Sequence, residues 1–281
     1  MPAVTLALVL ASAFLHALWN AAVKNDADPR AAAVAILAVA ALASVVAVPF
    51  FPGRAFVGGE GIAWSIAAGL FEAAYFWTLA LALVHAPLGV AYVAARGGAL
   101  VALWPVSVLW LGERLTAAGA AGVALVCAGL AAAAVQGGRQ AALRGVGWAA
   151  ACALAIAGNQ VCYKRAILAA ALPPAASAVS LAVALPPSLA LLGARGARSV
   201  ATRLRARPGA LGAAGAVCAA SFLLYLVALG GAGAGAVATL RNTSVLFSQA
   251  LARAIGERPT RLQLWGAALI VIGAVLLAWP G

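Results

Sequence analysis

The chain has 281 residues, of which 66% are hydrophobic and 9% are charged, and it carries a formal net charge of +12. A water-soluble domain needs far more charge to cover its surface, so this composition excludes a soluble globular protein and predicts a protein with many membrane spans. The basic residues lie between apolar runs and do not form a foldable basic domain, so the positive charge does not indicate nucleic-acid binding.

Ten apolar runs, bounded by charged residues, Gly or Pro, predict ten transmembrane helices, because about 20 apolar residues cross a bilayer. Helices are expected because an open sheet cannot satisfy its backbone hydrogen bonds in lipid. The first run begins almost at Met1 without a basic leader, which favours a span over a cleaved signal peptide. The predicted fold is therefore all-α integral membrane. The predicted spans are 4–23, 31–50, 62–84, 88–110, 117–136, 146–165, 174–193, 209–229, 234–255 and 261–279.

The first predicted helix carries a polar stripe, although it is otherwise very apolar. Residues 12–24 read SAFLHALWNAAVK, which places Ser12, His16, Asn20 and Lys24 four residues apart on one helix face. We expect this stripe to face a polar cavity and not lipid. His16 is a candidate proton-coupling residue because it can titrate near neutral pH, and a fixed hydrogen-bonding role is the alternative.

Glu72 is the one acidic residue that falls in the middle of a predicted span, the third. A carboxylate at this depth is costly unless it is paired, protonated or wetted by a cavity. Glu72 is therefore the leading proton-coupling candidate or a partner for a substrate amine, with Tyr75 on the same helix face. The alternative is an ion pair with an arginine that locks helix packing.

Two arginines, Arg96 and Arg241, lie at similar places in predicted spans four and nine. Either could pair with Glu72 or bind a substrate carboxylate, because a guanidinium donates two parallel hydrogen bonds to a carboxylate. The alternative is that each side chain reaches outward to the membrane interface. Asn242 and Thr243 extend the polar patch beside Arg241.

The sixth predicted helix mirrors the first. It reads AIAGNQVCYKR, so amide side chains again precede a terminal lysine by about one turn. Interhelical hydrogen bonds are the alternative role for these amides. The substrate-binding candidates are Trp19, Asn20, Tyr75, Arg96, Asn159, Tyr163, Tyr225, Arg241 and Asn242, and the proton-coupling candidates are Glu72 and His16.

Neither a metal site nor an enzyme active site is expected. The four cysteines fall inside apolar runs and are predicted to be small core residues. No metal-ligand spacing, no pair of intramembrane aspartates and no ATP-binding glycine loop occurs, so we expect no cofactor and no direct ATP drive. The cysteines are Cys127, Cys152, Cys162 and Cys218.

An internal repeat joins two segments at a constant offset of 144 residues. Residues 112–129 read GERLTAAGAAGVALVCAG and residues 256–273 read GERPTRLQLWGAALIVIG. Their glycines suit the end of one helix and their threonines the start of the next, so the motif predicts a tight helical hairpin. The residues concerned are Gly112, Gly256, Thr116 and Thr260, with Glu113 and Glu257 near a positive helix N-terminus.

The repeat divides the chain into two five-helix halves, 1–136 and 145–281, joined by GGRQAALR. An odd number of spans in each half forces the halves into opposite orientations. Inverted repeats of this kind are typical of secondary transporters, whose substrate site lies between the halves.

The paired GERLT and GERPT segments, together with the LWN…K ending of the first helix, resemble the EamA family of the drug/metabolite transporter superfamily. The resemblance implies carrier-type transport, often export. We expect a secondary transporter of small metabolites or drugs in the cytoplasmic membrane, with proton coupling as a further hypothesis. A non-transporting scaffold or a flippase-like lipid-handling protein is the alternative.

The expected partners are a small-molecule substrate, the lipid bilayer and, on the coupling hypothesis, protons. A monomer is the simplest assembly, because two halves suffice for one pathway, and a homodimer is the alternative. The connections after odd-numbered spans hold 12 Lys and Arg residues against 4 on the other side, which favours termini outside the cytoplasm. The family resemblance implies the opposite orientation.

Overall fold

The computed structural model describes residues 3–110, 117–134, 139–231, 240–254 and 260–277, with Val237 and Gly256. Within these ranges the regular secondary structure is helical, and there is no strand. The helices are α1 (Ala3–Lys24), α2 (Pro29–Ala47), α3 (Gly59–His85), α4 (Leu88–Trp110), α5 (Ala117–Ala134), α6 (Arg139–Leu168), α7 (Pro173–Ala206), α8 (Pro208–Gly231), α9 (Ser244–Ala254) and α10 (Arg261–Leu277).

Six of these helices, α1, α2, α3, α6, α7 and α8, are long and apolar enough to cross a membrane. In α4, α5 and α10 the apolar segments found within the described residues are shorter. The prediction of an all-helical, multi-pass membrane protein is confirmed, and the count of ten spans stays a prediction. Exposed apolar side chains such as Leu42, Val45 and Val46 of α2 suit a surface that faces lipid.

Two predicted connections are helical instead. The segment 194–209, expected as a loop, continues α7 to Ala206 after a sharp kink at Gly193, whose φ of 68° is left-handed. Ala and Arg favour helix, and Asp26 forms ion pairs with Arg203 and Arg207 that hold this segment against the bundle. The linker GGRQAALR is also helical from Arg139 onward, where it opens α6.

The ninth predicted span, 234–255, is interrupted beside Arg241. Residues 240–241 are helical, Asn242 and Thr243 form a turn, and α9 begins at Ser244. The Thr243 hydroxyl donates to the Leu240 carbonyl oxygen at 2.7 Å, and the turn amides bond three residues back. Thr243 therefore offers the backbone an alternative to the regular helix, which the apolar pattern did not reveal.

Glycine contacts bring α5 and α10 close together in a symmetric way. A Cβ atom on Gly129 would lie 2.5 Å from the Gly266 carbonyl oxygen, and one on Gly273 would lie 2.6 Å from the Gly122 carbonyl oxygen. Gly129 and Gly273 are 144 residues apart, as are Gly122 and Gly266. Each helix thus meets the other through equivalent positions of the sequence repeat, at a distance that only glycine permits.

A similar reciprocal contact between the two halves of the repeat relates two other helix pairs, α3 with α7 and α8 with α2. A Cβ on Gly69 of α3 would lie 2.6 Å from the Ser180 carbonyl oxygen of α7. A Cβ on Gly215 of α8 would lie 3.2 Å from the Ile36 carbonyl oxygen of α2. Ile36 and Ser180 are again 144 residues apart, and Gly69 and Gly215 are 146 apart. Two inverted halves would produce this pattern, and the boundaries 1–136 and 145–281 remain a prediction.

The second GER hairpin has the expected caps. Gly256 has a φ of 88°, and Thr260 and Gln263 form a reciprocal capping box at the start of α10, with bonds of 2.9 and 3.3 Å. Glu257 and the first copy, Gly112, Glu113 and Thr116, lie outside the described residues.

Three of the four cysteines are buried, as predicted, but Cys127 is exposed on the outer face of α5. That prediction was wrong because hydropathy alone does not separate lipid-facing from core-facing positions in an apolar helix.

Candidate functional site

The polar stripe of α1 faces the interior, where it meets α8. Ser12, His16 and Asn20 are all buried. The Ser12 hydroxyl donates to the Ser221 carbonyl oxygen at 2.7 Å, and the Ser221 hydroxyl donates to the Ser12 carbonyl oxygen at 3.1 Å. Reciprocal bonds of this kind join two membrane helices tightly, because lipid offers no competing partner.

His16 is the centre of the buried polar cluster. Its Nε2 atom contacts the Arg96 guanidinium and lies 3.0 Å from the Tyr75 hydroxyl. Its Nδ1 atom lies 3.1 Å from Nη2 of Arg241 and 3.4 Å from Nε1 of Trp19. One imidazole ring therefore stands between two arginines that come from distant parts of the chain.

Both arginines end in the interior and do not reach outward. Each is only 4% exposed. The Arg96 guanidinium carbon lies 5.7 Å from the centre of the Tyr92 ring. That of Arg241 lies 3.9 Å from the Tyr225 ring centre and 5.4 Å from that of Phe222. Aromatic faces attract cations, so they partly offset the loss of water around each guanidinium.

Glu72 accepts a hydrogen bond from an amide, and no described arginine lies within hydrogen-bond distance of it. Asn159 Nδ2 donates to Glu72 Oε2 at 2.6 Å and also to the Ala68 carbonyl oxygen at 3.0 Å. Among the described residues, Glu72 Oε1 has no hydrogen-bond partner. The predicted alternative, an ion pair of Glu72 with Arg96 or Arg241, is not formed.

These side chains surround a small buried cavity. Its volume is about 20 Å³, which is room for roughly one water molecule. Helices α1, α3, α4, α6 and α8 and the residues just before α9 supply its walls. The lining residues are His16, Tyr75, Arg96, Ile156, Asn159, Gln160, Phe222, Tyr225 and Arg241.

The structure brings six of the predicted residues onto this cavity and leaves five behind it. Trp19 stacks on Phe76 with ring centres 5.2 Å apart, and Asn20 Nδ2 donates to the His16 carbonyl oxygen at 2.6 Å. The Tyr163 ring centre lies 6.3 Å from that of Phe222. The five buried residues behind the wall are Trp19, Asn20, Glu72, Tyr163 and Asn242.

Sequence reasoning missed Ile156 and Phe222 and left Gln160 outside the candidate set. Phe222 follows Ser221 and precedes Tyr225 by three residues, so a shared helix face was a usable signal. Ile156 lies 140 residues after His16, the same offset that aligns Lys24 with Lys164. Its apolar side chain carried no chemical signal of its own. In the described part of the chain, no three His, Cys, Asp or Glu side chains come together.

The fold and part of the sequence are similar to those of known proteins. A solved structure titled "Crystal structure of protein" aligns with a TM-score of 0.64 and 20% identity, over 98% of this chain and 96% of that one. The likeness shows a shared fold. No curated protein matches the sequence. The sequence model of the EamA-like transporter family matches residues 143–279. This match confirms the family expected from the paired motifs: residues 143–279 of this multi-pass membrane protein belong to the EamA-like transporter family.

Proposed function

We propose that the protein is a secondary active transporter that carries a small metabolite or drug through the cavity around His16. The observation that carries this proposal is a cavity lined by Arg96, Arg241, Asn159 and His16 inside an otherwise apolar helical bundle. Ionisable groups are costly at membrane depth and are found there mainly along substrate or ion pathways.

The helix arrangement supports alternating access. The cavity has a volume of about 20 Å³, so the surrounding helices must separate to admit a metabolite. Walls contributed by both predicted halves, 1–136 and 145–281, allow one half to rock against the other. The interruption at Asn242 and Thr243 supplies a place where the chain can bend beside Arg241.

We further propose export across the cytoplasmic membrane and coupling to protons through Glu72. Asn159 both lines the cavity and donates to the Glu72 carboxylate at 2.6 Å. Protonation of Glu72 would weaken that charge-assisted bond and so loosen the contact between α3 and α6. A proton could thereby bias the bundle toward one open state.

A scaffold or flippase-like role is the weaker candidate. A scaffold would favour Glu72 packed directly against an arginine, with no cavity between them. Instead, Glu72 Oε1 has no partner among the described residues, and the two arginines face a cavity. These contacts favour transport of a polar substrate.

Flux measurements in liposomes test the proposal. Purified protein is reconstituted with a trapped pH dye, and amino acids, amines and organic acids are added in turn. We expect substrate-dependent proton flux for the wild type and for the exposed control Glu60→Gln, and none for Glu72→Gln. Substrate flux that persists unchanged in Glu72→Gln would reject coupling through Glu72. No flux of any compound, together with scrambling of labelled lipids, would favour the flippase-like role.

A further inference from the structure

We propose that Arg96 and Arg241 together bind the carboxylate of the transported substrate, which is an organic acid with an apolar body. This inference rests on the proposed transport function and names its substrate class.

The charges on the cavity wall are unbalanced. Among the described residues, two guanidiniums line it and no carboxylate does. Glu72 lies behind Asn159 and accepts no hydrogen bond from either arginine. A buried cation is stable only with an opposite charge or a full set of acceptors, so this wall is suited to an anion.

His16 cannot satisfy both arginines. A guanidinium only donates hydrogen bonds. A neutral imidazole has one lone pair, on either Nδ1 or Nε2, and a protonated imidazole has none. Yet Arg241 faces Nδ1 and Arg96 faces Nε2. At least one guanidinium therefore meets a group that cannot accept its hydrogen. Nε of Arg241, which is 4% exposed, also has no hydrogen-bond partner among the described residues.

A carboxylate has the acceptors that His16 lacks. It presents two oxygens on one planar group, much as the imidazole presents two nitrogens, and every lone pair on them accepts. One oxygen can receive hydrogens from Arg96 while the other receives them from Arg241. Charge-assisted bonds of this kind are about twice as strong as neutral ones. His16 thus holds both guanidiniums beside the cavity, where a carboxylate can contact them.

The rest of the wall selects what the carboxylate is attached to. Tyr75, Phe222, Tyr225 and Ile156 surround the polar centre with aromatic and aliphatic surface. Such a surface stabilises an apolar body and offers little to a small hydrated inorganic ion. The substrate is therefore an organic carboxylate, and inorganic phosphate is a poor ligand.

Binding to the purified protein in detergent tests the inference without relying on transport. The probe is 3-phenylpropionate, compared with its amide, with phenethylamine and with inorganic phosphate. We expect a concentration-dependent rise in Tm with 3-phenylpropionate and none with the other three compounds. L-phenylalanine distinguishes a plain acid from a zwitterion, and stabilisation by either supports the carboxylate site. An amide or amine that binds as tightly as the acid would overturn it.

Variants of each arginine add a second test. We expect Arg96→Gln and Arg241→Gln each to weaken binding of 3-phenylpropionate at least about tenfold. Lysine at either position should retain part of the affinity, because it keeps the charge and loses the planar fork. Arg165→Gln, on an exposed arginine, is the matched control. Unchanged affinity in both folded glutamine variants would overturn the inference.

If the glutamine variants do not fold, the lysine variants and the acid–amide comparison on the wild type still decide the question. Binding of the acid without any flux would uphold the carboxylate site and reject the transport function. Flux of a neutral or cationic compound, with no binding of the acid, would uphold the transport function and reject the carboxylate site.

Discussion

Asn159 of α6 joins Glu72 of α3 by a hydrogen bond of 2.6 Å, and its amide faces the cavity on the other side. The same nitrogen donates to the Ala68 carbonyl oxygen at 3.0 Å. Asn159 is therefore the physical link between the buried carboxylate and the cavity that contains both arginines. The contributions of Asn159 and Glu72 to the stability of the protein can therefore be measured with single and double variants.

Asn159→Leu should destabilise the protein, because it removes the donor to a buried carboxylate. The expected loss is about 1–3 kcal/mol, read as a lower Tm in detergent. In a Glu72→Gln background the same change should cost less, because a neutral amide is less costly to leave unpaired. Equal losses in the two backgrounds would mean that the two residues are not coupled.

His16→Leu should destabilise the protein more than Asn159→Leu does, because neither guanidinium then has an acceptor at the ring position. Leaving a buried charge uncompensated typically costs about 3–5 kcal/mol. His16→Gln should recover part of this loss, since its carbonyl oxygen can accept from one arginine. The Tm of each variant tests the expectation. His85→Gln is the control, because His85 is half-buried and its ring bonds to the Leu81 carbonyl oxygen of its own helix. Equal stability of the Leu and Gln variants would contradict it.

Gly129→Ala and Gly273→Ala should each weaken the packing of α5 on α10. The added Cβ would meet a backbone carbonyl oxygen at 2.5 and 2.6 Å, respectively, and the helices would have to separate. Overpacking of this kind costs about 1–3 kcal/mol. We expect a lower Tm for both variants.

Gly147→Ala and Gly212→Ala are matched controls for the packing variants. Both glycines lie in helices, and nothing lies within 4 Å of an added Cβ. Alanine should raise helix stability there by up to about 1 kcal/mol. A similar drop in Tm for test and control variants would show that helix contact is not the cause.

Asp26→Asn should release the helical segment after the Gly193 kink. Asp26 is the partner of Arg203 and Arg207, and its side chain is 4% exposed. Loss of both ion pairs should open the segment more often and raise the rate of trypsin cleavage at these arginines severalfold. Mass spectrometry of the fragments locates the cut. Cleavage at the rate of the Glu60→Gln control would contradict this role.

Much of the candidate site could be predicted from the sequence. Ser12, His16 and Asn20 share a helix face whatever surrounds the helix, so their spacing predicts a polar stripe that faces the interior. Glu72 could be identified because it is an acidic residue inside an apolar run, and hydropathy is read from the local sequence. By contrast, Trp19 and Tyr163 were predicted to bind substrate, but both pack behind the cavity wall. Aromatic side chains suit core and cavity equally well.

The sequence by itself determined the membrane class, the helical composition and the family resemblance, because these depend on local hydropathy, backbone chemistry in lipid and short repeated motifs. Only the tertiary structure decided that His16 stands between Arg96 and Arg241, which lie 80 and 225 residues away along the chain. It also showed that residues 194–206 form a helix and that the ninth predicted span is interrupted by a turn at Asn242. The contacts of His16 join helices that are distant in the sequence, and no local pattern encodes which helices meet.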